Sequence, residues 1–311
     1  MSLRLSIAPT LALLCVLSAG CADEPLHPFF TKQKRPIIFA HRGGGGIEPE
    51  ATIRTIQSTM AAYPDQVIEF DVHRTKDDQI VVIHDDSVDR TTNGAGRVAA
   101  LTVAELKMLD AGYCATPNKG NGTAESGECH GATDAAAFPF RGAGYQIPTL
   151  AEVLDVIPRD RFISIELKTD DLEQRVAQIL RDQGRLEHTV VGSEHDDAAL
   201  KLLRALPMLP HFMPEAAATC FAFAAKIGND YVACPNYEVF AAPTSAKGLS
   251  LDTTGMINAA HARGMAVVYW TINEEAEMDH IFRIGADGIF TDYPDRAARV
   301  LARLRAEGAV P

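Results

Sequence analysis

From residue 36 onward, short apolar runs rich in Val, Ile and Phe alternate with stretches in which apolar residues return every three or four positions. This alternation is the tightest constraint on the fold. A strand buried on both faces reads as a continuous apolar run, whereas the helix that crosses back to the next parallel strand reads at period 3.6. Strands are expected at 36–40, 67–72, 80–84, 162–167, 189–193, 209–213, 231–235, 266–270 and 288–291. Nine is one more than a closed eight-stranded barrel holds. Between 72 and 80 there is too little chain for a crossover helix, so 80–84 is assigned to a hairpin excursion and eight strands remain. Helices are expected at 51–63, 149–157, 170–183, 196–205, 215–227, 252–263, 274–284 and 294–306. The fold class that follows is α/β, a (β/α)8 TIM barrel over 36–311 with a small insertion or cap at about 72–148. No linker divides it, but 113–146 is polar, rich in Gly, Ala and Thr, and longer than a simple connection.

The first residues read as an export signal rather than as fold. A basic start at Arg4 precedes the apolar run LALLCVL, which is too short to span a bilayer, and small residues lead to Cys21. Ser18, Ala19 and Gly20 before Cys21 resemble a bacterial lipobox, so 1–20 is expected to be a signal peptide, Cys21 to be acylated and 21–35 to be a linker. Simple secretion is the alternative. Either route places the protein outside the cytoplasm, in the periplasm or cell envelope, with membrane contact only through the lipid. Cys114, Cys129, Cys220 and Cys234 remain, and in an oxidising compartment the sequence-local pairing, Cys114 with Cys129 and Cys220 with Cys234, is preferred. A zinc site lacks the necessary Cys-x-x-Cys spacing. The net charge of -12 argues against a nucleic-acid partner, which needs clustered Lys and Arg.

In VIEFDVH, Glu69 and Asp71 are two apart on a strand and share a face, with Ile68 and Phe70 on the other. FISIELK repeats the pattern with Glu166 and Lys168. Three carboxylates at two strand ends suit one hard divalent cation, Ca²⁺ or Mg²⁺. A salt-bridge network of Glu69, Asp71, Glu166, Arg74 and Lys168 is the competing reading. His41 and His84 each follow a strand, and an imidazole there can serve as general acid or base.

These residues lie within AHRG, Pro49-Glu50, EFDVHRTKDD, VVIHDDSVDRTTNG, IPTLAEVL, IELK, VYWTIN and GADGIFTDYP. In that order, over about 36–296, they resemble the glycerophosphodiester phosphodiesterase family. The exported, insertion-bearing layout is similar to its periplasmic, calcium-using branch. The resemblance implies a barrel with its site at the C-terminal strand ends, His41 and His84 as the acid and base pair, and Glu69, Asp71 and Glu166 as ligands of one cation, Ca²⁺ ahead of Mg²⁺. It also implies Arg42 and Lys168 on the phosphate. Glu50 and Trp270 are further candidate substrate contacts; for Trp270, the only tryptophan, packing on the glycerol competes with merely filling the barrel mouth. One departure stands out. The family usually reads Pro-Glu-Asn-Thr where this chain has Pro49, Glu50, Ala51, Thr52.

The expected activity is metal-dependent hydrolysis of small-molecule glycerophosphodiesters to sn-glycerol 3-phosphate and an alcohol. Water and a neighbouring substrate hydroxyl are both open as nucleophile. A phospholipase D-like or C-like enzyme acting on lysophospholipids or intact phospholipids is the alternative. A non-catalytic surface binding lipoprotein is the reading from another class, and retention of all five proposed catalytic and metal residues counts against it.

Overall fold

The structure, a computed structural model, describes residues 25–116, 129, 130, 132, 135–228 and 237–311. The signal segment, Cys21, Cys234 and the strand expected at 231–235 lie outside the described residues.

In chain order the first elements are α1 (Pro28–Thr31), β1 (Ile37–Ala40), α2 (Ile53–Ala62), β2 (Val67–Arg74), β3 (Ile80–Val82), α3 (Val103–Lys107) and α4 (Leu150–Val156). There follow β4 (Ile163–Leu167), α5 (Glu173–Asp182), β5 (Thr189–Gly192), α6 (Asp196–Ala205), α7 (Glu215–Lys226) and β6 (Val239–Ala242). A two-residue hairpin, β7 (Ser245–Ala246) and β8 (Leu249–Ser250), comes next. The chain ends with α8 (Thr254–His261), β9 (Ala266–Tyr269), α9 (Glu275–Arg283), β10 (Gly288–Thr291) and α10 (Pro294–Ala306).

The parallel sheet runs β5, β4, β2, β1, β10, β9, β6. Single parallel bridges, Val191 to His211 and Phe212 to Val239, join its two ends through the segment expected as the strand at 209–213. The ring therefore has eight positions, the expected barrel. β3 pairs antiparallel with β2, so the extra apolar run is a hairpin excursion as read. One strand differs from expectation: β6 lies at Val239–Ala242, a run with two alanines and a single β-branched residue, which gives little β signal of its own.

Alternation along β2 sorts its side chains. Ile68, Phe70 and Val72 pack with β4 and the surrounding helices in one buried cluster, while Glu69 and Asp71 turn toward the barrel axis. The barrel floor is closed by α1, within the stretch read as linker, so ordered packing begins before residue 36. Phe29 and Phe30 pack against Ile37, Val67, Val190, Val239 and Ala266, which open or nearly open their strands. Two fully buried phenylalanines stabilise this closure by roughly 1.5–3 kcal/mol each. His27 caps α1 by accepting from the Phe29 N–H through Nδ1 at 3.1 Å.

The insertion carries a small core of its own, including Val88, Val98, Leu106, Tyr145 and Ile147. The expected disulfide Cys114–Cys129 is formed. Arg141 donates to the carbonyls of Tyr113, Ala132 and Cys129 and ties the bridged loop together. Cys220 on α7 is disulfide-bonded as well. Among the described residues no helix is long and apolar enough to cross a membrane.

Candidate active site

His41 and Arg42 leave β1 in a tight turn, with Arg42 itself in the left-handed region at φ 53°. The glycines after it make that exit feasible. Gly44 has φ 99°, and a Cβ on Gly46 would lie 2.7 Å from the Asp292 carbonyl, a backbone atom that cannot yield. The Gly46 N–H instead donates to that carbonyl at 2.9 Å, which fastens the turn to the loop after β10.

That loop supplies the partner of His41. Asp292 Oδ1 lies 2.7 Å from His41 Nδ1, while its Oδ2 accepts from Asn273 Nδ2 at 2.7 Å. Burial opposes ionisation of Asp292 most strongly, but the hydrogen bond and charge of His41, the Asn273 hydrogen bond and the Arg42 charge together outweigh it and hold the carboxyl down at about 2. His84 is arranged the same way, its Nδ1 2.7 Å from Asp85 Oδ1. Asp85 is in turn gripped by Arg90, and its carboxyl sits well below the usual range. A carboxylate at Nδ1 fixes the proton there and leaves Nε2 for chemistry. His73, given no role from sequence, donates through Nε2 to the His84 carbonyl at 3.0 Å and steadies that segment.

The register of β2 against β4 places Asp71 beside Glu166 and Glu69 beside Ser164. As a result Glu69, Asp71 and Glu166 bring carboxylate oxygens within 4.8 Å of one another. Three negative charges in one buried spot are costly. Burial and then the Asp71 charge push Glu69 well above the usual carboxylate range, and the same two causes push Glu166 up to about 7. Asp71 is equally buried, yet Lys168 above all keeps it below its ordinary value. Lys168 Nζ stands 2.8 Å from Glu166 Oε1 and 3.3 Å from Asp71 Oδ1, so part of the competing salt-bridge network exists; Arg74 instead faces Asp78. Two oxygens of Asp71 are buried without a hydrogen bond among the described residues. Buried oxygens that accept no hydrogen bond among the described residues, one of them ion-paired with Lys168, at the centre of three convergent carboxylates fit a hard divalent cation.

Arg42 donates its backbone N–H to Glu69 Oε2 at 2.7 Å, and its buried Nε has no hydrogen bond among the described residues. His41, Arg42, Glu69, His84, Glu166, Lys168 and Trp270 all face one cavity of about 580 Å³. Glu50 does not. Its carboxylate is 4% exposed beneath the mouth, with Arg42 Nη1 at 3.3 Å and Arg90 Nη2 at 2.7 Å, so it orders the two guanidiniums and is placed away from a substrate contact. Trp270 does reach the rim, 41% exposed, beside Phe223 and Leu249 on an apolar wall. Asp85, Arg90, Asn273 and Asp292 received no role from sequence, although all four stand inside the motifs quoted above. Of the four only Asp85, adjacent to His84 in the chain, carried a local signal.

A family model described as the glycerophosphoryl diester phosphodiesterase family matches residues 41–296. The Bacillus subtilis (strain 168) protein YhdW is 34% identical over 262 residues, 83% of this chain and 95% of its own. The glycerophosphoryl diester phosphodiesterase domain of a Mycobacterium tuberculosis protein superposes with a TM-score of 0.71 at 22% identity, over 86% of this chain and 99% of that one. An Oleispira antarctica phosphodiesterase, solved in complex with the product sn-glycerol-3-phosphate, has the same fold with a TM-score of 0.62 at 22% identity, over 88% and 99%.

Proposed function

Because this chain belongs to the glycerophosphoryl diester phosphodiesterase family, and so is a glycerophosphodiester-hydrolysing enzyme, we propose that its barrel mouth performs metal-assisted, two-histidine hydrolysis to sn-glycerol 3-phosphate and an alcohol. The observation that carries this reading is the pair of imidazoles, each backed at Nδ1 by a carboxylate at 2.7 Å and each facing the cavity that Glu69 and Glu166 line, with an Asp71 oxygen within 4.8 Å of both. The product complex of the Oleispira antarctica relative supports the substrate class.

Glu69, Asp71 and Glu166 would hold one divalent cation, Ca²⁺ ahead of Mg²⁺. When bound, it supplies Lewis-acid stabilisation of charge on the phosphate. Arg42 and Lys168 line the same space and place positive charge on the phosphoryl oxygens as negative charge builds there. One histidine takes the nucleophile's proton at Nε2 and the other delivers a proton to the departing alcohol oxygen. Asp85 and Asp292 hold each ring in the matching tautomer. In turnover of glycerophosphocholine, His41→Ala and His84→Ala should each lower kcat by about 10²–10⁴-fold, with rates normalised to folded protein. Retained turnover in either variant would sink the two-histidine assignment.

The apolar wall favours a second reading, hydrolysis of lysophospholipids. Ala218, Ala222, Phe223, Phe240, Leu249 and Leu251 line the cavity opposite the charged groups, more apolar surface than a glycerol or choline arm needs. Monomeric short-chain lysophosphatidylcholines should be better substrates than glycerophosphocholine if an acyl chain lies there. Export with lipidation at Cys21 belongs to the same proposal; its support is the sequence of residues 1–21.

A further inference from the structure

Between the phosphate-facing Arg42 and the acid-base His84 runs an unbroken chain of ionic hydrogen bonds. Arg42 Nη1 lies 3.3 and 3.4 Å from the two oxygens of Glu50. Arg90 grips the same carboxylate with Nη1 at 3.0 Å and Nη2 at 2.7 Å. Its other edge grips Asp85, with Nε at 2.7 Å and Nη2 at 2.9 Å, and Asp85 holds His84 Nδ1. Glu50 lies 40 residues before Arg90, in the turn after β1, whereas Arg90 lies in the insertion. Neither Arg90 nor Glu50 nor Asp85 lines the cavity.

We infer that Arg90 is a positioning residue: it locks the insertion onto the β1 turn so that His84 and Arg42 face the same phosphate at a fixed separation. The inference rests on the hydrolysis proposed above with His84 as one of the two acid-base groups. Its physical basis is the guanidinium fork. One planar cation with five donors satisfies two carboxylates along two edges, which a lysine ammonium cannot do. A buried carboxylate such as Glu50 tolerates no looser partner, since each lost hydrogen bond leaves a desolvated charge. Reach matters as well, because a displacement near 1 Å in a reacting group costs on the order of 10²-fold in rate.

The test compares Arg90→Lys with wild type on glycerophosphocholine, with rates normalised to folded protein. We expect kcat to fall roughly 10–100-fold with KM changed less than threefold. The Nδ1–H proton resonance of His84 should move while that of His41 stays. Wild-type kcat in Arg90→Lys, or a resonance shift shared equally by both histidines, overturns the inference. In case Arg90→Lys does not fold, the neutral pair Glu50→Gln with Arg90→Met leaves neither of those two charges facing an absent partner, and it should show the same loss in kcat; wild-type turnover there also overturns it. His84→Ala separates this from the parent reading. If that variant stays active, the two-histidine mechanism fails. If it is inactive while Arg90→Lys is fully active, only the positioning role fails.

Discussion

The two walls of the cavity are built on opposite principles. On the side of β1, β2 and β4, every charged group that faces the cavity is held by another charge or by backbone, and Glu69, Asp71 and Glu166 sit on strands whose register leaves no freedom. On the side of α7, β6 and the β7–β8 hairpin, the lining is dominated by alanine, phenylalanine and leucine, and its charged pair, Glu215 and Lys247, is exposed and 3.9 Å apart. Charge fixes geometry because desolvated ions tolerate only exact partners, whereas apolar contacts accept many shapes of similar volume. The first wall is therefore suited to chemistry that must not vary. The second is suited to an alcohol arm that can.

The largest effect should come from breaking the charged wall at its centre. Asp71→Asn should abolish turnover; chelated wild-type protein should rise in melting temperature on adding Ca²⁺ or Mg²⁺, and Asp71→Asn should not. A metal-induced rise that survives in Asp71→Asn would place the cation elsewhere. The apolar wall should answer differently. Phe223→Ser with Leu249→Ser should leave glycerophosphocholine hydrolysis unchanged while lowering kcat/KM for a monomeric octanoyl lysophospholipid about tenfold, the worth of two buried methylenes. Equal losses on both substrates would erase the distinction between the walls.

A third test uses pH. Asp292 is depressed to about 2, so its bond with His41 contributes stability that is complete above the unfolded carboxylate value and is lost as pH falls through the folded one. Its side chain is 23% exposed, and solvent screening limits the bond's contribution to about 1–2 kcal/mol. Between pH 5 and pH 2, urea unfolding of wild type should lose that much more stability than Asp292→Asn. Parallel curves would show that the pair contributes nothing.

The smallest effect concerns Ala51, at φ 57° and buried behind the charged wall. Asparagine and glycine enter the left-handed region readily, but alanine pays about 1–2 kcal/mol to stay there. This gives a backbone reason for the asparagine at this place in the resemblance drawn from sequence. Ala51→Gly should raise stability by about 0.5 kcal/mol after the entropy of glycine is subtracted, with kcat unaltered. A lower melting temperature would mean that the methyl group's packing outweighs the relief.

Period and punctuation made much of this legible. Helix α10 falls at the residues its spacing predicts, since a periodic run opened by Pro294 is a local signal. Glu69, Asp71 and Glu166 were legible for a similar reason: alternation along a strand decides which way a side chain points. The dyad of His41 with Asp292 joins residues 251 apart, and no local spacing announces it. Arg90 was hidden for the same cause, its partners being set by how the insertion folds back. Helix α1 went unseen because PFFT is too short to show a period, and its two phenylalanines matter only once a barrel exists to be floored.

Were Cys21 lipidated, that floor would also set which way the enzyme looks. Phe29 and Phe30 fasten the start of the described chain to the end of the barrel remote from the proposed catalytic groups. Only six residues separate Cys21 from Pro28, a leash of about 25 Å at full stretch. With a lipid on Cys21, the barrel would stand on its base at the bilayer with its mouth turned outward. It would then draw on diesters diffusing past the envelope surface and could not graze on the leaflet that holds it.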